Sequence, residues 1–136
     1  MKKLLLSVLV LLGLLVTVSF GAKFTMGLSL STLNNPFFVT LRDGAVDAAK
    51  KLDINLIVVD AQDNPAKQLS DIEDLIQRKV NFILINPTDS SAIGSAVEKA
   101  NKAGIPVATV DRNADKGKVV FHIASDNVAG GRMAAR

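Results

Sequence analysis

Four short apolar runs recur along the chain at intervals of about 25 to 30 residues: Thr25 to Ser31, Asn55 to Asp60, Phe82 to Ile85 and Val107 to Val110. Runs of this kind, alternating with helical segments, are the mark of strands in a parallel sheet covered on both faces. Between them the apolar period changes. Phe37, Phe38, Leu41, Ala45, Ala48, Ala49 and Leu52 recur at steps of three and four, as do Leu69, Ile72, Leu75 and Ile76, and then Ala92, Ile93, Ala96, Val97, Ala100 and Ala103. Each set forms one stripe of an amphipathic helix that faces the sheet. Pro36 and Pro65 suit first-turn helix positions, where the missing N–H is not needed, and Gly104-Ile105-Pro106 stops the third helix just before a strand. A fifth strand is expected over Val119 to Ile123, after the turn-rich stretch Asn113 to Lys118. The order βαβαβαβ-β predicts an α/β fold with a right-handed, doubly wound parallel sheet.

The two ends of the chain read differently. Lys2 and Lys3 precede an apolar run from Leu4 to Val18, followed by Ser19-Phe20-Gly21. A basic start, an apolar stretch and a small-x-small site form the layout of a secretory signal peptide, so cleavage is expected after Gly21, with Ala22 as the alternative. The run falls short of the ~20 apolar residues that span a bilayer, which disfavours an uncleaved anchor. At the other end, Asn127 to Arg136 begins a helical pattern with Val128 and Met133 apolar and reaches the last residue without a cap, as if cut mid-helix. Nothing within the chain is expected to pack on it, so residues 127–136 are expected to be mobile.

Composition narrows the function classes. Cysteine is absent, which removes disulfides, thiolate metal sites, a cysteine nucleophile and the lipid-attachment residue of a bacterial lipoprotein. Of the 16 basic residues two are Lys2 and Lys3, and without them the count nearly matches the 13 acidic ones, a balance that argues against a nucleic-acid surface. No G-x-S-x-G elbow and no metal-spaced cluster is present, and the single histidine, His122, reads as structural. Where a nucleotide-binding glycine motif would follow the first strand, Asn34-Asn35-Pro36 stands instead. Neither catalytic residues, nor a metal, nor a cofactor is expected.

In an open parallel sheet, ligands bind beyond the carboxyl ends of the strands. The loops there read Thr32 to Phe38, Ala61 to Asn64, Asn86 to Asp89 and Asp111 to Asn113. Their amides, carboxylates and guanidinium suit a polyhydroxyl ligand, because each hydroxyl both donates and accepts and planar groups supply paired partners. Phe37 or Phe38 could lie against the apolar face of a sugar ring. Blander roles fit the same residues: Asn35 as a helix cap, the phenylalanines as core, Asn86 and Asp89 as turn and cap residues, and Asp111 as the ion-pair partner of Arg112.

Ser31-Thr32-Leu33-Asn34-Asn35-Pro36-Phe37-Phe38, Asp63-Asn64-Pro65-Ala66-Lys67, Leu84-Ile85-Asn86-Pro87-Thr88-Asp89, Val110-Asp111-Arg112 and His122-Ile123-Ala124-Ser125-Asp126-Asn127, in this order, closely resemble the N-terminal half of the ribose-binding proteins. Those belong to the type I periplasmic binding proteins of sugar ABC transporters. The resemblance implies an incomplete N-terminal lobe of a two-lobed clamp that closes on the pyranose form of ribose or a similar monosaccharide. Asn35, Asn86, Asp111 and Arg112 would hydrogen-bond its hydroxyls, and Phe37 and Phe38 would pack on its ring. Ser125, Asp126 and Asn127 would form the hinge crossing. The implied layout is a signal peptide over 1–21, the sugar-binding lobe over 22–124, and over 125–136 the crossing and the start of a truncated second lobe. The family further implies the periplasm as location, a membrane permease as partner, a chemotaxis receptor as a second one, and no enzymatic activity. A clamp with one jaw leaves the sugar's other face in water, so this chain alone is expected to bind ribose very weakly or not at all. The alternative, the sensing core of a lactose-repressor-type regulator, would need an N-terminal helix-turn-helix in place of Lys2 to Val18.

Overall fold

The computed structural model of the chain describes residues 23–135. The signal-peptide reading of residues 1–21 lies outside the described residues. Five parallel strands, β1 (Thr25–Leu30), β2 (Asn55–Asp60), β3 (Phe82–Ile85), β4 (Val107–Val110) and β5 (His122–Ile123), form one sheet in the order β2-β1-β3-β4-β5. Four helices accompany them among the described residues: α1 (Pro36–Lys51), α2 (Pro65–Gln77), α3 (Gly94–Lys102) and α4 (Asn127–Ala134). The chain leaves β1 in one direction to form β2 and then returns past β1 to form β3. The doubly wound expectation therefore holds, with the switch point between β1 and β3.

Local chemistry sets the helix ends. Asn35 and Asn64 are N-caps with extended backbone, and the proline that follows each occupies the first helical position. All three sheet-flanking helices end in the same motif, a left-handed residue whose flanking amides close back onto the last turn. At the end of α3 the left-handed residue is Gly104 (φ 74°), with Ile105 N–H bonded to Ala100 O. At the ends of α1 and α2 it is Asp53 (φ 53°) and Lys79 (φ 55°), with Ile54 N–H bonded to Ala49 O and Val80 N–H to Leu75 O. Glycine marks only one of these stops.

Two expected boundaries shift. Helix α3 begins at Gly94, because Asp89 caps a preceding turn by accepting from Ser91 and Ala92 N–H. Strand β5 is two residues long instead of five, although Val120 N–H still bonds to Val107 O and Phe121 O still accepts from Thr109 N–H. It is an edge strand with exposed side chains, and among the described residues no neighbour extends the ladder beyond it.

The core lies under α2 and α3. Ile72, Leu75, Val97 and Ala100 pack on Ile83, Ile85 and Val107, all fully buried. The fit is tight at Gly27, where a Cβ would stand 2.6 Å from Leu75 Cδ1. Helix α1 lies on the opposite face and buries fully only Ala49. Helix α4 buries none of its side chains.

Candidate functional site

The switch point opens at the carboxyl ends of β1, β3 and β4, and the side chains expected there divide into a surface set and a buried set. In the loop after β1, Asn35 is exposed and its Oδ1 accepts from Phe37 N–H at 2.9 Å, so the cap role is filled while its amide group remains at the surface. Phe37 is 52% exposed, which is not a core position. Phe38 meets it edge-on, with ring centroids 5.2 Å apart. Phe37 forms one wall of an open cleft of about 180 Å³, whose other sides are Val110, Asp111, Ile123, Ala124 and Ser125.

Asp111 has an unusual backbone. Its φ is 67°, and Arg112 N–H donates to Val110 O at 2.8 Å across it, the pattern of a tight three-residue turn rarely adopted by non-glycine residues. Its own N–H is held by Ile123 O at 2.8 Å. Strain of this kind persists only where surrounding contacts enforce it, and it concentrates at ligand sites. Arg112 does not pair with Asp111 in the described ion pairs. Its Nη1 donates instead to the carbonyls of Pro87, at 2.9 Å, and Thr88.

Asn86 reaches the same place from below. It is 1% exposed. Its Oδ1 accepts from Ser31 N–H at 3.1 Å and Ser31 Oγ–H at 2.6 Å, and its Nδ2 donates to Val110 O at 3.2 Å and, more weakly, to Asp111 Oδ2 at 3.4 Å. All four capacities of the amide are thus used within the protein. Asn86 ties the ends of β1, β3 and β4 together under the cleft, and its side chain has no free group at the surface.

Periodicity and motif reading passed over Gln68 of α2, which is fully buried. Its Oε1 accepts from Thr88 N–H at 2.8 Å and Thr88 Oγ–H at 3.0 Å, while its Nε2 donates to Asn86 O at 2.9 Å and Ser29 Oγ at 3.1 Å. The signal was available: Gln68 stands four residues before Ile72 and seven before Leu75, a polar residue on the apolar stripe of its helix. His122 Nδ1 hydrogen-bonds Thr109 Oγ1 at 2.9 Å, away from the cleft-lining set, which fits its structural reading. Ser125 borders the cleft, Asp126 accepts from Ala129 N–H as the N-cap of α4, and Asn127 opens that helix. No group of metal-ligating side chains occurs among the described residues.

Residues 26–136 match the family model described as periplasmic binding protein domain. The chain is 61% identical over 113 residues to the ribose import binding protein of Bacillus subtilis, covering 83% of this chain and 37% of that protein. It is 57% identical over 125 residues to the ribose import binding protein of Escherichia coli, covering 92% of this chain and 42% of the other. Among solved structures, a Caulobacter myo-inositol binding protein bound to myo-inositol superposes with a TM-score of 0.78 at 38% identity, over 85% of this chain and 39% of that one. A solute binding protein of an ABC transporter from Actinobacillus succinogenes with bound D-allose gives 0.75 at 34% identity, over 83% of this chain and 42% of the other. The chain thus spans about two fifths of the length of these relatives.

Proposed function

Since the chain belongs to the periplasmic binding protein domain family, we propose that it provides one wall of a monosaccharide site, with ribose as the leading ligand, for an ABC importer. One observation carries this reading. An exposed aromatic ring, Phe37, and a backbone-strained carboxylate, Asp111, share one open cleft at the carboxyl edge of the sheet, beside the ends of β4 and β5. A pyranose ring has an apolar face that suits the first and vicinal hydroxyls that suit the second. Asn35 and Arg112 extend the polar rim, Phe38 braces Phe37, and Asn86 acts on the sugar's surroundings from beneath. Ribose leads because the relatives from Bacillus subtilis and Escherichia coli are ribose import binding proteins.

In this reading residues 22–124 are the sugar-binding lobe. Ser125 to Asn127 begin a hinge, and 125–136 lead into a second lobe that would supply the opposite wall. Residues 1–21 export the protein to the periplasm, where a membrane permease, and as a second partner a chemotaxis receptor, receive the loaded form. The protein captures its solute without transforming it, as the solute-binding relatives do.

Weak, one-sided binding is best tested by following backbone amide resonances of the 136-residue chain during titration with ribose into the millimolar range, with glycerol as a control. Saturable shifts at Asn35, Phe37, Phe38, Asp111 and Arg112 are expected with ribose alone. Shifts spread evenly over the surface, or equal responses to glycerol, would remove the sugar site from this cleft.

A further inference from the structure

We propose that Gln68 is a positioning residue for the ligand edge: it does not reach the cleft, yet it holds the guanidinium of Arg112 in place. The inference rests on the reading of Arg112 as a sugar contact and adds the part that sets its geometry. The two ends of the relay meet on one tripeptide. On its buried side, Gln68 grips Asn86–Thr88 by the carbonyl of Asn86 and by the N–H and hydroxyl of Thr88. On its outer side the same segment turns the carbonyls of Pro87 and Thr88 toward Arg112 Nη1, which donates to both.

A loop peptide free to rotate would present those carbonyls in many directions. Fixing the Thr88 N–H on one side fixes the Pro87 C=O on the other, because the two belong to one planar peptide unit. The anchor is itself rigid. Gln68 lies in the first turns of α2, is fully buried, and its Nε2 has a second partner in Ser29 Oγ at 3.1 Å on β1. An amide with four satisfied bonds in a water-free position has one low-energy orientation, since any rotation strands buried donors and acceptors. A long, exposed arginine otherwise samples many rotamers, and holding it in advance lowers the ordering cost when a ligand binds.

The test compares the full chain with Gln68→Leu, which keeps an apolar volume but removes all four bonds. Without sugar, the 15N heteronuclear NOE of Arg112 Nε reports whether the guanidinium is held. In the variant it is expected to fall to the level of the exposed Arg132, while the amide spectrum of β2 stays native. With ribose, the shift response at Arg112 is expected to be lost while that at Phe37 and Phe38 persists. Gln68→Glu retains the two acceptor bonds to Thr88 and is expected to restore the Arg112 NOE. Should Gln68→Leu not fold, Thr88→Val, which removes one of those bonds, is expected to lower the NOE partway. An unchanged Arg112 NOE in folded Gln68→Leu, or in folded Thr88→Val, overturns the proposal. If the wild-type chain does not respond to ribose but the NOE still depends on Gln68, the sugar reading falls and the positioning role stands.

Discussion

The two faces of the sheet are built from the same strands yet are finished very differently. On one face α2 and α3 seal Ile83, Ile85 and Val107 completely. On the other, α1 spans β1 and β2 and leaves an apolar hollow of about 190 Å³ beside it, bordered by Met26, Ala48, Leu52, Leu56 and Leu84. Beyond the hollow, Phe82 stacks on Phe121, whose ring is 49% exposed, and Ile123 is 57% exposed. Periodicity assigned both faces to the interior, since each strand is apolar on both sides. Only contact with a covering element makes such a side chain a core residue, and among the described residues the second face has one helix where the first has two. The polar relay follows the same division: Gln68 projects from the sealed face, where no water competes for its four bonds.

Adjacent residues of β3 give the sharpest way to break this comparison. Ile83 is fully buried on the sealed face, and Leu84 is half-buried on the open one. Ile83→Ala is expected to cost about 2–5 kcal/mol of stability, as for a well-packed core position, and Leu84→Ala about 1 kcal/mol, since its surroundings are already incomplete. Urea unfolding of the two variants measures both, and equal losses would mean that the faces are equally packed. Gly27→Ala probes the tightness of the sealed face directly. It drives a methyl into Leu75 and is expected to cost about 1–3 kcal/mol, so a neutral result would show slack under α2. The smallest effect concerns the helix stops. Lys79 closes α2 in a left-handed conformation, and Lys79→Gly is expected to raise the unfolding midpoint by the equivalent of about 0.5–1 kcal/mol. No gain there would mean that the Val80 contact, and not backbone conformation, limits that stop.

Much of this was legible in the residues. Strands β1 to β4 and the sheet-facing stripes of α2 and α3 follow from apolar period, whereas the stripe expected on α1 leaves Phe37, Ala48 and Leu52 exposed; Pro36 and Pro65 stand at first helical positions as expected. The stops at Asp53 and Lys79 were not legible, because a left-handed residue other than glycine has no distinctive identity; the following Ile54 and Val80, packed back on the helix, provide the reason for the turn. At the candidate site the surface residues Phe37, Asp111 and Arg112 could be chosen by chemistry and position in the loops. Their division of labour could not. Asn86 has the same functional group as Asn35, and only burial separates an amide with all its bonds inside from one with atoms at the surface.

The sequence by itself determined the alternation of strands and helices and the edge at which polar loops collect, because hydrophobic period and helix-end chemistry act over a few residues. Tertiary structure decided which face is sealed, which amide is free and which residue holds Arg112. Those properties depend on partners dozens of positions apart, as Gln68 is from Ser29 and Asn86 from Ser31, and burial that turns a polar side chain into a fixed joint exists only once those partners meet.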